Sequence, residues 1–117
     1  MNFTTQNNFF HINSDEEFYQ ILNEATKNNI KVFVKFGAEW CAPCKKIEPF
    51  YKKISENYKN CIFLSVDIDK AEIVSNKYNI TSVPTFIVCK NNSYLELMKG
   101  PDSNKLNEIL KNTINMS

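Results

Sequence analysis

Trp40-Cys41-Ala42-Pro43-Cys44 is the stretch whose reading decides the fold. Two cysteines with two residues between them can close a disulfide within one helical turn, or supply two ligands to a metal. The flanking sequence chooses between these. Residues 30–36 (IKVFVKF) are a run of apolar and β-branched side chains and read as a strand. Residues 45–58 carry Ile47, Phe50, Tyr51, Ile54 and Tyr58 on one stripe and read as a helix, with Pro49 inside it as an expected kink. Cysteines placed where a strand ends and a helix begins sit at the positive end of the helix dipole, which stabilises a thiolate. The pattern points to redox chemistry. A zinc site needs four ligands, and Cys41 and Cys44 have no second pair nearby, so no metal is expected.

Working outward, residues 1–8 are polar and Asn-rich and are expected to form a flexible N-terminal tail. Residues 9–117 read as a single domain. Residues 9–12 form a short first strand, with His11, the only histidine, taken as a structural residue remote from the cysteines. Ser14-Asp15-Glu16-Glu17 is a capping box that opens a helix carrying Phe18, Ile21, Leu22 and Ala25. After the CxxC helix, residues 61–66 (CIFLSV) are a third strand, and Asp69 and Glu72 are candidate caps for a short helix over residues 70–78. Residues 85–89 and 94–98 are strands joined by Lys90-Asn91-Asn92-Ser93, a hairpin turn. Gly100-Pro101-Asp102-Ser103 breaks the chain and caps a last helix with Leu106, Ile109 and Leu110. The order βαβαβαββα predicts an α/β fold with a central five-stranded mixed sheet and helices on both faces.

Composition excludes several classes. The chain has 117 residues, 43% hydrophobic and 23% charged, with a formal net charge of +1, so neither nucleic acid nor an anionic membrane is an implied partner. All 14 basic residues are Lys, so no bidentate arginine clamp exists. No window approaches a membrane span. The start, MNFTTQNNFF, lacks a basic region followed by an apolar core, so no secretory signal and a cytoplasmic location are expected.

Taken together, WCAPCKK at residues 40–46, Pro49, Val66-Asp67-Ile68-Asp69, Val83-Pro84-Thr85-Phe86 and Gly100 resemble the thioredoxin family over roughly residues 9–112. The resemblance implies the thioredoxin fold. It also implies a redox-active disulfide Cys41–Cys44, with Cys41 as attacking nucleophile and Cys44 as resolving thiol. The expectation from position agrees, with Cys41 exposed outside the helix and Cys44 buried one turn in. Trp40, Ala42, Pro43, Val83, Pro84 and Gly100 carry over as active-site support and substrate contact, with a cis bond before Pro84. Ala42-Pro43 supplies no charge between the cysteines, whereas oxidising relatives often carry a histidine there; this argues for a reductant.

Two departures concern mechanism. Where the family usually has a buried Asp, six residues before the nucleophile, this chain has Lys35. Many bacterial members pair that Asp with a Lys on the neighbouring strand, and the matching position is Ser65. Lys35 either lends a positive field that favours the thiolates, or lays its stem along the helix and reaches water or a carboxylate, with Glu48 the candidate partner. Lys35 and Glu48 are thus the candidates for proton or field modulation, and Cys44 is expected to lack its usual proton acceptor. Gly37 stands where the family often has a second Trp. Cys61 and Cys89 are expected about 10 Å apart, flanking the central strand at the end opposite Cys41, and are read as free structural thiols.

The expected activity is a protein disulfide reductase that passes electrons to client disulfides and binds no cofactor. The resemblance implies recharging by an NADPH-dependent thioredoxin reductase, and the chain is expected to be a monomer. An oxidase or isomerase of a secretory compartment is the alternative, as is a binding module within an assembly.

Overall fold

In the computed structural model, which describes residues 7–116, the strand before the cysteines ends five residues short of the first helical turn of the active segment. The elements are β1 (Phe9–Ile12), α1 (Asp15–Lys27), β2 (Val32–Gly37), α2 (Ala42–Glu56), β3 (Ile62–Asp67), α3 (Glu72–Lys77), β4 (Thr85–Lys90), β5 (Ser93–Lys99) and α4 (Ser103–Ile114). They follow the predicted order. The sheet runs β1-β3-β2-β4-β5, parallel through β1, β3 and β2 and antiparallel for β4 and β5. Parallel neighbours need crossovers, and α1 and α2 provide them on opposite faces. Val34, Ile62, Leu64 and Ile87 face α1 and α3, where Phe18, Ile21 and Val74 cover them. Phe33, Phe63 and Phe86 face α2 and α4, under Ile47, Tyr51, Leu106 and Leu110.

Local signals explain the joints. Ser14 Oγ accepts from the Glu17 N–H (3.1 Å), while Glu17 Oε1 accepts from the Asn13 N–H (3.0 Å), so the capping box forms one residue out of its usual register. Asn91 and Asn92 both take positive φ (51° and 65°), the two-residue turn that suits the strand twist. Gly100 has φ +103°, a conformation that favours glycine, and its N–H donates to the Pro84 carbonyl (2.9 Å).

Three sequence expectations need correction. The cap assigned to Asp69 and Glu72 does not form; the α3 N–H of Val74 is taken by Asp15 Oδ1 of α1 (2.9 Å), a tertiary partner. Helix α2 begins at Ala42 rather than at residue 45, while Pro49 lies inside it as expected. Pro43 accounts for the early start, since its fixed φ suits the first helical turn and its missing N–H would be unbonded there anyway. The tail predicted over residues 1–8 does not hold at residue 8. Asn8 is buried, and its Nδ2 lies 2.9, 3.0 and 3.1 Å from the carbonyl oxygens of Ser55, Tyr58 and Cys61. These carbonyls belong to the end of α2 and the turn into β3, where helical partners run out. Residues 1–6 lie outside the described residues. The Ser55 and Tyr58 carbonyls also accept from the Tyr58 and Cys61 N–H groups, so Asn8→Ala removes three bonds without stripping every partner and is expected to lower stability by about 1 kcal/mol, read as a lower urea midpoint at unchanged m-value. An unchanged midpoint would show that water serves those carbonyls equally well.

Candidate active site

Cys41 and Cys44 are joined by a disulfide, with Cα atoms 5.3 Å apart. The geometry follows from the backbone. Cys41 is the N-cap of α2, in extended conformation, and its Sγ accepts from the Cys44 N–H (3.2 Å). One of the unpaired amides at the helix start therefore points at the sulfur of the first cysteine. The first turn of α2 holds no acidic residue that would oppose a thiolate. Gly37 lets the helix start lie against β2, because a Cβ there would sit 3.2 Å from Cys44 Cβ and 3.4 Å from both its Sγ and Lys35 Cε. A Cβ at residue 37 would make Cys44 or the Lys35 stem give by a few tenths of an ångström.

The surroundings differ from expectation in one respect. Cys41 is only 5% exposed, little more than Cys44 at 2%. The expected exposure fails because Ala38, Ile68 and Val83 pack around the disulfide. Trp40 is 68% exposed, and its Nε1 donates to Asp69 Oδ2 (2.8 Å), which fixes the indole beside the cysteines. Ala42 and Pro43 are exposed between the cysteines. Across the disulfide, the Val83–Pro84 peptide is cis, and the Val83 carbonyl oxygen is 4.0 Å from Cys41 Sγ. Through its bond to Pro84, Gly100 holds that loop to the end of β5. The structure thus brings Trp40, Ala42, Pro43, Val83, Pro84 and Gly100 around one disulfide.

Beneath it lies a polar row. His11, Ser65 and Lys35 are cross-strand neighbours on β1, β3 and β2, all on the face covered by α2. Glu48, one turn beyond Cys44, comes down onto them. Its Oε1 accepts from Lys35 Nζ (2.7 Å) and from Ser65 Oγ, and its Oε2 lies 3.2 Å from His11 Nε2. Lys35 is 4% exposed and also donates to the Cys44 carbonyl (3.2 Å). The reading of Lys35 as a stem laid along the helix with its amine on a carboxylate describes this arrangement. Burial alone would raise the Glu48 carboxyl, but the bonds from Lys35 and Ser65, the lysine charge and the His11 contact outweigh it and bring it to about 2. The carboxylate missing from the strands is therefore supplied by the helix, and it is permanently ionised at neutral pH. A cleft of about 280 Å³ opens alongside, bordered by His11, Lys35, Cys44 and Glu48. His11, taken as remote, belongs to this cluster. Its spacing from Glu48, 37 residues away on another element, gave no sequence signal.

Cys61 and Cys89 are free and buried, on opposite faces of the sheet and at its other end. Burial pushes both thiols up, Cys89 to about 11. Among the described residues, no group of three His, Cys, Asp or Glu side chains comes together as a metal site, and no helix is long and apolar enough to cross a membrane.

The family model for thioredoxin matches residues 9–112. Thioredoxin 1 of Plasmodium falciparum (isolate 3D7) is 40% identical over 100 residues, covering 86% of this chain and 92% of that protein. The crystal structure of reduced Schistosoma mansoni thioredoxin pre-protein aligns with a TM-score of 0.81 at 36% identity, over 91% of this chain and 98% of that one. That of a poplar thioredoxin h aligns with a TM-score of 0.87 at 30% identity, over 95% and 100%. By sequence, by fold and by the disulfide it carries at the start of α2, the chain belongs to the thioredoxin family of thiol–disulfide oxidoreductases.

Proposed function

We propose that the chain is a protein disulfide reductase in which Cys41 attacks and Cys44 resolves. The observation that carries this is the Cys44 N–H aimed at Cys41 Sγ at the helix N-cap. In the dithiol form that amide and the helix dipole favour a thiolate at Cys41. The thiolate attacks one sulfur of a client disulfide; a Cys41–client bond forms and the other client sulfur leaves as thiolate. Cys44, deprotonated to solvent through the adjoining cleft, then attacks Cys41 Sγ and releases the second client thiolate. Two electrons pass to the client, whose thiolates take up two protons. The covalent tether gives the second step a high effective concentration. Trp40, with the Val83 carbonyl and the backbone at Pro84 and Gly100, forms the surface on which an extended client segment would lie.

The direction rests on residues 42 and 43. Neither carries charge or a side-chain donor, so nothing between the cysteines favours the reduced form as a cationic imidazole would. The chain works as a monomer and is returned to the dithiol by an NADPH-dependent thioredoxin reductase. Its two further cysteines remain free thiols, which suits a reducing compartment such as the cytoplasm. Equilibration against a graded dithiol–disulfide buffer tests the direction. The expected potential is near the thioredoxin value of about −270 mV, and one above about −180 mV would make the chain an oxidant.

A further inference from the structure

The face between α2 and α4 carries a trough that begins at the active site. Its first part, about 510 Å³, has Ala42, Pro43, Lys46, Phe50 and Pro101 among its walls. The second, about 280 Å³, continues past Lys53, Asn57 and Asn107. Phe50 and Ser103 border both parts, so the two adjoin at these residues. Phe50 is 52% exposed although it lies on the stripe of α2 that otherwise faces the core, an exposure that leaves an aromatic ring where the two parts meet. The residues bordering the trough include Lys46 and Lys53 and no acidic residue. Neither lysine takes part in an ion pair among the described residues. Asp102, between the bordering residues Pro101 and Ser103, is engaged as the N-cap of α4, its Oδ1 accepting from the Lys105 N–H (3.0 Å).

We infer that this trough is a specificity site for client segments that carry two acidic residues around an apolar one, next to the cysteine under attack. The inference rests on the reductase reading above. The spacing sets the register. Lys46 and Lys53 are seven residues apart on one helix face, about 10 Å along its axis. An extended segment advances about 3.3 Å per residue and alternates its faces, so side chains four residues apart, about 13 Å, share a face and meet the flexible tips of both lysines. The residue midway between them, on the same face, falls on Phe50. Lys46 lies about 7 Å along the α2 axis from Cys41, which puts the first acidic residue two positions from the client cysteine and the second six. Continuity with Ala42 and Pro43, which separate the two cysteines, makes the occupant a client already held at the disulfide and not an independent ligand.

The test uses the full chain and two disulfide-linked peptides identical except at those two positions, Glu in one and Lys in the other, with Leu between. The readout is the ratio of their second-order reduction rates, in which any effect of a charge on the Cys41 thiolate cancels. At low salt the wild type is expected to reduce the acidic peptide about five- to tenfold faster, and the ratio should fall toward one as salt rises. Lys46→Gln with Lys53→Glu should bring the ratio to one or below. Phe50→Ser should slow the Leu-containing acidic peptide and leave a Ser-containing version unaffected. Equal rates for the two peptides in the wild type would overturn the inference, as would a preference that survives the lysine changes. A wild type that dimerises through Lys53 and shows no peptide preference would make the trough a self-association face and overturn it too. A small neutral disulfide, reduced in parallel, separates the two readings: if it is reduced while the peptides show no preference, the trough proposal alone fails, and if it is not reduced the reductase reading fails.

Discussion

Cys41→Ser is expected to lower disulfide turnover by at least about a thousandfold, in an assay that follows NADPH consumption with a thioredoxin reductase and a peptide disulfide. Everything that favours a thiolate at residue 41 acts through its sulfur. The amide of Cys44 meets it at 3.2 Å, and no acidic side chain in the first turn opposes it. A serine hydroxyl in the same place stays protonated and cannot open a disulfide. The other thiols offer no substitute. Cys61 and Cys89 are buried at the far end of the sheet, and with burial pushing Cys89 to about 11 it is almost wholly protonated at neutral pH. Cys44→Ser should behave differently. It keeps the attacking sulfur and removes the resolving one, so each chain should stop as a mixed disulfide with one peptide. Residual turnover above a tenth of wild type in Cys41→Ser, or stable adducts formed by Cys41→Ser but not by Cys44→Ser, would reverse the assignment of the two cysteines.

The parts of this site legible in the sequence are those set by neighbours along the chain. A β-branched run, then WCAPC, then an amphipathic stripe placed the cysteines at a strand–helix junction, and two asparagines marked the β4–β5 turn. What stayed hidden depends on which elements the fold brings together. Glu48 reads as one more polar position on α2 until β1 and β3 bring His11 and Ser65 beneath it. Asn8 looks like tail because its three acceptors lie 47 to 53 residues away. Asp15 reads as an ordinary first-turn acid of its own helix, yet it also accepts from the start of α3. In each case a single polar side chain satisfies backbone or charge on a distant element, and periodicity carries no trace of such a bond.

Removing Glu48 is expected to destabilise the fold more than removing Lys35, although the two form one ion pair. The asymmetry comes from burial. The Lys35 side chain is 4% exposed and the Glu48 side chain 28%. Glu48→Ala strands an ammonium in the interior with only the Cys44 carbonyl as acceptor, which should cost about 3–5 kcal/mol. Lys35→Met leaves a carboxylate that still holds Ser65, lies beside His11 and reaches water, while the methionine replaces much of the buried stem; about 1–2 kcal/mol is expected. With both changes made, the stranded charge is gone, so the double variant should be more stable than Glu48→Ala alone and the coupling should be measurable by urea denaturation. Acid unfolding gives an independent reading. The Glu48 carboxyl is lowered in the fold from 4.5 to about 2, so its contribution is fully present above pH 4.5 and is lost as pH falls toward 2. Lys35→Met removes the main opposition to the burial effect, so the Glu48 carboxyl rises toward its unfolded value and less stability should be lost between pH 4.5 and 2. If Lys35→Met proved the costlier change, or the stability lost between pH 4.5 and 2 were as large in it as in wild type, the ion pair would not be what holds Lys35 under the disulfide.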